Sequence, residues 1–236
     1  MDKLERVKRD LVIANRILAM EGVLDAYGHV SVRHPEDPGR YFLARSLAPE
    51  LVTPEDIMEF SLDGTPVGDD RRTPYLERFI HGAIFEKRPE VTVALHAHTE
   101  STLPFGITGV PLRPVFHSAS EIGASVPTWD IDEKFGDHTN LLVTNMAQGR
   151  DLADRLARNA VCLMRGHGFA AAGTSVSRLV TTSIYLAKNA RVLLQCLNMG
   201  GTIKTLHDGE IAERAKMDPN GSALRRGWEY WAKKAG

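Results

Sequence analysis

The sequence predicts a layered α/β domain, either α+β or α/β/α, and two observations carry that expectation. Short apolar segments with strand character run close together through the first half of the chain. Amphipathic helices stand before, between and after them, without the regular alternation of βαβ repeats. A chain of 236 residues can bury a full core by itself, and residues 1–236 are expected to form one domain.

In chain order, Leu4, Val7, Leu11, Ala14 and Leu18 recur at steps of three and four, with Gly22 as a stop, so residues 2–21 read as a helix. From Ala26 to Phe60 the pieces HVSVRH, RYFLA and IMEFSL read as short strands alternating with turn clusters around Pro35 to Gly39 and Asp63 to Gly64. A helix is expected over 73–87, capped by Thr73, with Pro74 at its first position and Leu76, Phe79, Ile80, Ala83 and Ile84 as its buried stripe. VTVALHAH (91–98) alternates with period two and reads as a strand, and further strands are expected near 112–117, 126–131 and 141–144. A helix near 147–158 leads to AVCLMRGHGFAAAG, a strand, a turn at Gly166-His167-Gly168 and a returning strand. The longest helix spans 175–199, and a short polar connection reaches a last helix carrying Trp228, Tyr230 and Trp231.

Hydrophobic residues make up 43% of the chain and charged residues 25%, with a net charge of -1, which removes the electrostatic footprint of a nucleic-acid or anionic-membrane binder. Cys162 and Cys196 are too few for a disulfide framework. The charged start MDKLERVKRD is unlike a signal peptide, and no apolar run reaches membrane-spanning length, so a cytoplasmic protein is expected.

The chemistry concentrates in the histidines. His96 and His98 stand two apart on the expected strand, so their rings emerge on one face, a chelating arrangement. The same HxH spacing equally fits two histidines bonded to backbone carbonyls. His167 lies between two glycines, where its backbone can take φ values closed to other residues and its ring can be aimed off the strand direction. It suits a third ligand or, equally, an exposed hairpin tip. Three imidazoles leave coordination positions open, as a catalytic metal requires. Glu77 sits one position too far along its expected helix for a capping box, and His81 one turn later is placed to bond to it; the plain reading of Glu77 is a solvated carboxylate near a helix start.

The Glu77 helix, the HAH strand and the RGHG turn, in that order and spacing, resemble the class II aldolase/adducin family from GHVS at 28–31 to the long helix after 175. The resemblance implies a three-layer α/β/α fold on a mainly antiparallel sheet. It also implies a divalent metal on His96, His98 and His167, Glu77 as acid/base, and a homotetramer with active sites between subunits. Where sugar-phosphate aldolases of the family bind phosphate, this chain has His29, ARSLAPEL and Tyr75-Leu76 instead. With GHVSVRHP, PYLERFIHGAIFE and PLRPVFH, these departures are similar to the decarboxylase branch, whose members act on dihydroxyphthalates or hydroxypyridine dicarboxylates.

The expected activity is therefore metal-dependent decarboxylation of an ortho-hydroxylated aromatic or pyridine carboxylate, in aromatic-compound catabolism. Manganese is favoured and zinc is second. Glu77 or His117 supplies the proton, while His29, Ser31, Arg45 and Ser46 are candidates for holding the substrate; a guanidinium fork suits a planar carboxylate. Two alternatives stay open: an aldolase or epimerase acting on a sugar or hydroxy-ketone, and a non-catalytic adducin-like interaction module.

Overall fold

The computed structural model describes residues 2–218 and 221–236. Its first helix, α1 (Lys3–Met20), starts on a capping box in which Asp2 and Glu5 serve each other's backbone. It buries Leu11, Ala14 and Leu18 of the expected stripe, and the chain turns away at Gly22, whose φ is 70°.

Three strands follow, β1 (His29–Arg33), β2 (Arg40–Ala44) and β3 (Ile57–Ser61), then α2 (Arg78–Lys87) and β4 (Val93–Ala97). Beyond them come α3 (Leu103–Thr108), a 3-10 turn at His117–Ile122, β5 (Thr128–Trp129), α4 (Asp132–Phe135) and α5 (Met146–Leu156). The hairpin β6 (Val161–Met164) and β7 (Gly168–Gly173) leads to α6 (Val176–Met199), α7 (Asp208–Ala215) and α8 (Ser222–Lys234). The polar connection after α6 thus contains a helix, α7, that the sequence reading omits; residues 219–220 of that connection lie outside the described residues.

The seven strands form one sheet in the order β3-β2-β1-β4-β7-β6-β5, antiparallel throughout except for the β5–β6 pair. His29 pairs with His96 and Ser31 with Ala94, so these four share one face. That face is covered by α2, whose His81 reaches Ser31, and by α5 packed on α2. A Cβ on Gly149 would lie 2.6 Å from the Phe79 carbonyl, which is why the α2–α5 crossing holds a glycine. The opposite face, where a Cβ on Gly173 would meet Leu179 at 3.2 Å and Val93 at 3.5 Å, is covered by α6, and α1 packs on α6 and β1. Helices on both faces of a mainly antiparallel sheet make the three layers, as expected. One hydrophobic cluster extends from Leu11 through Val93 and Leu95 to Trp231. Among the described residues, no helix is long and apolar enough to cross a membrane.

Three expected elements differ, each for a local reason. Helix α2 begins at Arg78 rather than Thr73, because the 73–77 arm runs extended at 73–75 and turns at Leu76-Glu77: Arg45 bridges to Pro74, and the Ser46 N–H donates to the Thr73 carbonyl at 2.8 Å. Residues 112–117 form no strand. Pro111 and Pro114 lack ladder donors, and the Asn189 side chain bonds Val115 N and Arg113 O instead, at 2.8 and 2.9 Å. Residues 141–144 form no strand either. Leu141 has φ 65°, and the N–H groups of Leu142, Val143 and Thr144 donate to the side chains of Asn140, Glu77 and Gln148.

Candidate metal centre

The site is assembled where the end of β4 meets the β6–β7 turn. His96, on the sheet face beneath α2, is fully buried, and its Nδ1–H donates to the Phe169 carbonyl at 3.1 Å. His98, one residue past the strand, turns its Nδ1–H to the Asp25 carboxylate at 3.1 Å. Asp25 is itself held by the N–H groups of Tyr27 and Gly28, both at 2.9 Å. With a proton fixed on each Nδ1, both Nε2 atoms carry free lone pairs, and they stand 3.0 Å apart. Both sequence readings of HxH therefore apply to His96: one nitrogen bonds a carbonyl and the other faces the cluster.

The glycines around His167 act differently from the expectation. The positive φ belongs to Gly166, at 64°, and His167 itself is not left-handed. Gly168 is required by proximity: a Cβ there would sit 2.1 Å from the Ala97 carbonyl, so only glycine lets the turn lie on the end of β4. The ring of His167 is thereby pressed to 5.0 Å from that of His98 and 4.8 Å from that of His96. The residue is not an exposed hairpin tip, its side chain being 8% exposed.

Glu77 arrives on the 73–77 arm rather than inside a helix. It makes no cap bond; Oε1 accepts from Val143 N at 2.9 Å, and Oε2 lies 3.4 Å from His96 Nε2 and 3.5 Å from His167 Nε2. Burial pushes its carboxyl up, but His96 and His167 outweigh burial and hold it well below the usual carboxylate range. The expected Glu77–His81 bond is absent. His81 instead bonds Ser31 Oγ and His29 Nδ1, both at 2.6 Å.

Ligand atoms of Glu77, His96, His98 and His167 all lie within 4.8 Å of one another, so the four could hold a metal ion. Two features fit one. The shorter separations, 3.0–3.5 Å, are those expected of donors sharing an ion at about 2.1 Å. Both ring nitrogens of His167 are also buried without a hydrogen bond, a cost that coordination would remove.

The candidate substrate residues divide into two groups. His29 and Ser31 are buried beside the cluster, His29 with its ring 5.3 Å from that of His96 and 4.5 Å from that of Tyr75. Tyr75 spends its hydroxyl on the Leu47 carbonyl, and burial pushes that hydroxyl up to about 12. Arg45 lies further out, its Nε on Asp56 at 2.7 Å, and Ser46 is exposed next to it. His117 is not brought to the cluster. It lines a cavity of about 680 Å³ with residues of α6 and α8, and none of the four cluster residues contributes to that wall. Sequence reasoning missed Asp25 and the Val143 N–H. The signal for Asp25 is the turn it closes with Tyr27 and Gly28; nothing local marks Val143.

Fold and site together define the class of protein. The Class II Aldolase and Adducin N-terminal domain family matches residues 9–194, and the chain belongs to that family. Decarboxylase tropJ of Talaromyces stipitatus is 36% identical, over 95% of this chain and 92% of its own. The 3,4-dihydroxyphthalate decarboxylase of Arthrobacter keyseri is 26% identical, over 86% of this chain and 84% of its own. Among solved structures, the L-fuculose 1-phosphate aldolase of Glaciozyma antarctica superposes with a TM-score of 0.79 at 26% identity, covering 98% of this chain and 88% of that one.

Proposed function

We propose that this chain is a divalent-metal-dependent decarboxylase of an ortho-hydroxylated aromatic or pyridine carboxylate, serving aromatic-compound catabolism. The observation that carries the reading is the cluster of His96, His98, His167 and Glu77, two of its rings held by outer partners and the third left without a bond. The names of the two relatives direct it to decarboxylation.

His96, His98 and His167 would hold the ion, manganese by preference and zinc second. A cation there supplies a Lewis acid for the negative charge left on a substrate oxygen when the carboxylate departs. Glu77, ionised and anchored by Val143, takes the proton of the substrate's ortho hydroxyl and gives it to the ring carbon that bears the carboxylate. The bond from that carbon to the carboxylate then breaks, carbon dioxide leaves, and the ring recovers aromaticity with its charge on oxygen, which water protonates. Arg45 is the candidate for a second carboxylate, with Ser46 beside it, and His29 for a ring substituent. His117 enters as a proton donor only through rearrangement or a second subunit. The reading includes a single cytoplasmic domain assembled as a homotetramer with sites between subunits, testable by light scattering.

Release of labelled carbon dioxide from carboxylate-labelled hydroxyphthalates and hydroxypyridine dicarboxylates, by manganese-loaded protein, tests the reading. Glu77→Gln should keep its metal and lose turnover by about 10²–10⁴-fold. Cleavage of hydroxy-ketones or sugar phosphates, with no carbon dioxide from any aromatic acid, would move the chain to the aldolase side of its family. The likeness to the fuculose-phosphate aldolase makes that the second reading.

A further inference from the structure

No helix holds Glu77. It stands on a two-residue turn, Leu76-Glu77, between the extended part of the arm and α2, and its side chain caps nothing. Leu76 gives that turn no packing support, being 52% exposed. Yet the carboxylate reaches two places at once. Oε1 accepts from Val143 N at 2.9 Å, while Oε2 stands 3.4 Å from His96 Nε2 and 3.5 Å from His167 Nε2. A glutamate side chain is long and rich in rotamers, so these contacts persist together only where the backbone of the turn is fixed.

Two side chains fix it, one on each side. Before the turn, Tyr75 is 6% exposed and its hydroxyl donates to the Leu47 carbonyl, which ties the last extended residue of the arm to the loop after β2. After the turn, the Arg78 guanidinium donates from Nη1 to the Tyr75 carbonyl at 3.1 Å and from Nε to the Gly64 carbonyl at 2.7 Å, and it lies over the Phe79 ring. The contacts with Arg45 and Ser46 hold only the start of the arm, at Pro74 and Thr73. All three bracing bonds end on backbone carbonyls, which only accept, so every donor in the brace is settled and the brace is complete without a ligand.

We infer that Tyr75 is a positioning residue for Glu77: with Arg78 behind it, its bond to Leu47 fixes the turn from which the carboxylate reaches the cluster. Tyr75 acts through Glu77 and through the backbone alone. The inference rests on Glu77 as the acid/base of the proposed function.

Tyr75→Phe tests it, because it removes one hydroxyl and keeps the ring beside His29. The amide proton of Val143, followed by NMR in protein stripped of metal with a chelator, reports the Glu77 bond directly. Glu77→Gln exchanges a charged acceptor for a neutral one and should move that resonance upfield, and Tyr75→Phe should move it the same way. In manganese-loaded Tyr75→Phe, kcat should fall about 10–100-fold, as for a misplaced reacting group, with KM within about twofold of the parent and metal content unchanged. Arg33→Met, which loosens the far end of the same sheet face, should leave the Val143 resonance and kcat where they are. An unmoved Val143 amide in Tyr75→Phe, an undiminished kcat, or the same changes in Arg33→Met overturns the inference and leaves the function reading intact. A parent that turns over no aromatic acid overturns the function reading, and the Val143 amide then decides the inference alone. If Tyr75→Phe does not fold, Arg78→Met cuts the brace behind the turn and is judged by the same resonance and the same outcomes.

Discussion

One face of β1 carries His29, Ser31 and Arg33 in succession, and its two ends treat buried polar groups in opposite ways. At the far end, Arg33 is 8% exposed and closed on itself. Its guanidinium donates to the carbonyls of Val91, Pro38, Phe85 and Arg88 at 2.6–3.0 Å. Phe85 and Arg88 belong to the C-terminal end of α2, where unpaired carbonyls and the helix dipole both favour a cation. At the near end, the three histidines and Glu77 converge, and neither ring nitrogen of His167 has a hydrogen bond. A polar group whose bonds all close within the chain holds the fold together. One left open at equal burial is a cost the fold carries for a ligand.

This contrast is sharpest where His167→Ala is compared with the parent. Loss of a ligand should lower metal affinity well beyond the about 10–100-fold typical of a lost outer partner, and take activity with it. The metal-free protein should melt only a few degrees lower, because the ring removed gives up its contact with Glu77 but no hydrogen bond. Elemental analysis of the dialysed variant alongside its melting curve checks both halves. Near-stoichiometric metal would remove His167 from the site.

Arg33→Met should show the reverse. Four carbonyls lose a buried charged donor, an effect of about 2–4 kcal/mol, or about 5–15 °C in Tm for a chain of this size. Metal content per folded chain should be unchanged. A variant that melts normally but loses metal would show that the two ends of β1 are not separable in function.

How much of this was legible in the sequence follows from the range of the interactions involved. The β1–β3 and β4 strands and the β6–β7 hairpin announce themselves through period-two patterns and turn residues, which are local. So does the shared face of His96 and His98, because strand alternation alone dictates it. The arm at 73–77 does not, since Thr73-Pro74 is an ordinary helix start until Arg45 and Ser46 draw it alongside β2. Residues 141–144 look like a strand by composition, yet Glu77 and Gln148 claim their donors. His81 is the clearest case. Helical spacing pairs it with Glu77, but once Glu77 leaves the helix the ring turns to Ser31, fifty residues away in sequence.

Asp25 offers the subtlest way to probe the open end, because it belongs partly to each kind of cluster. Its Oδ1 closes a turn with Tyr27 and Gly28, a structural task, while its carboxylate faces His98 Nδ1 and fixes the tautomer that frees Nε2. Asp25→Asn separates the tasks. The amide oxygen can keep both turn bonds, but the amide nitrogen then meets an Nδ1–H as donor against donor. His98 is pushed toward the tautomer with its proton on Nε2, where the lone pair is needed. Metal affinity should fall about 10–100-fold, the range for a lost outer partner. Stability of the metal-free protein should move by less than about 0.5 kcal/mol, as for a change without a new cavity or broken cap. Competition with a chelator of known affinity measures the first and denaturant titration the second. If Asp25→Asn binds metal as the parent does while Asp25→Ala only melts earlier, Asp25 sides with Arg33, and the tautomer of His98 is held by something other than its carboxylate.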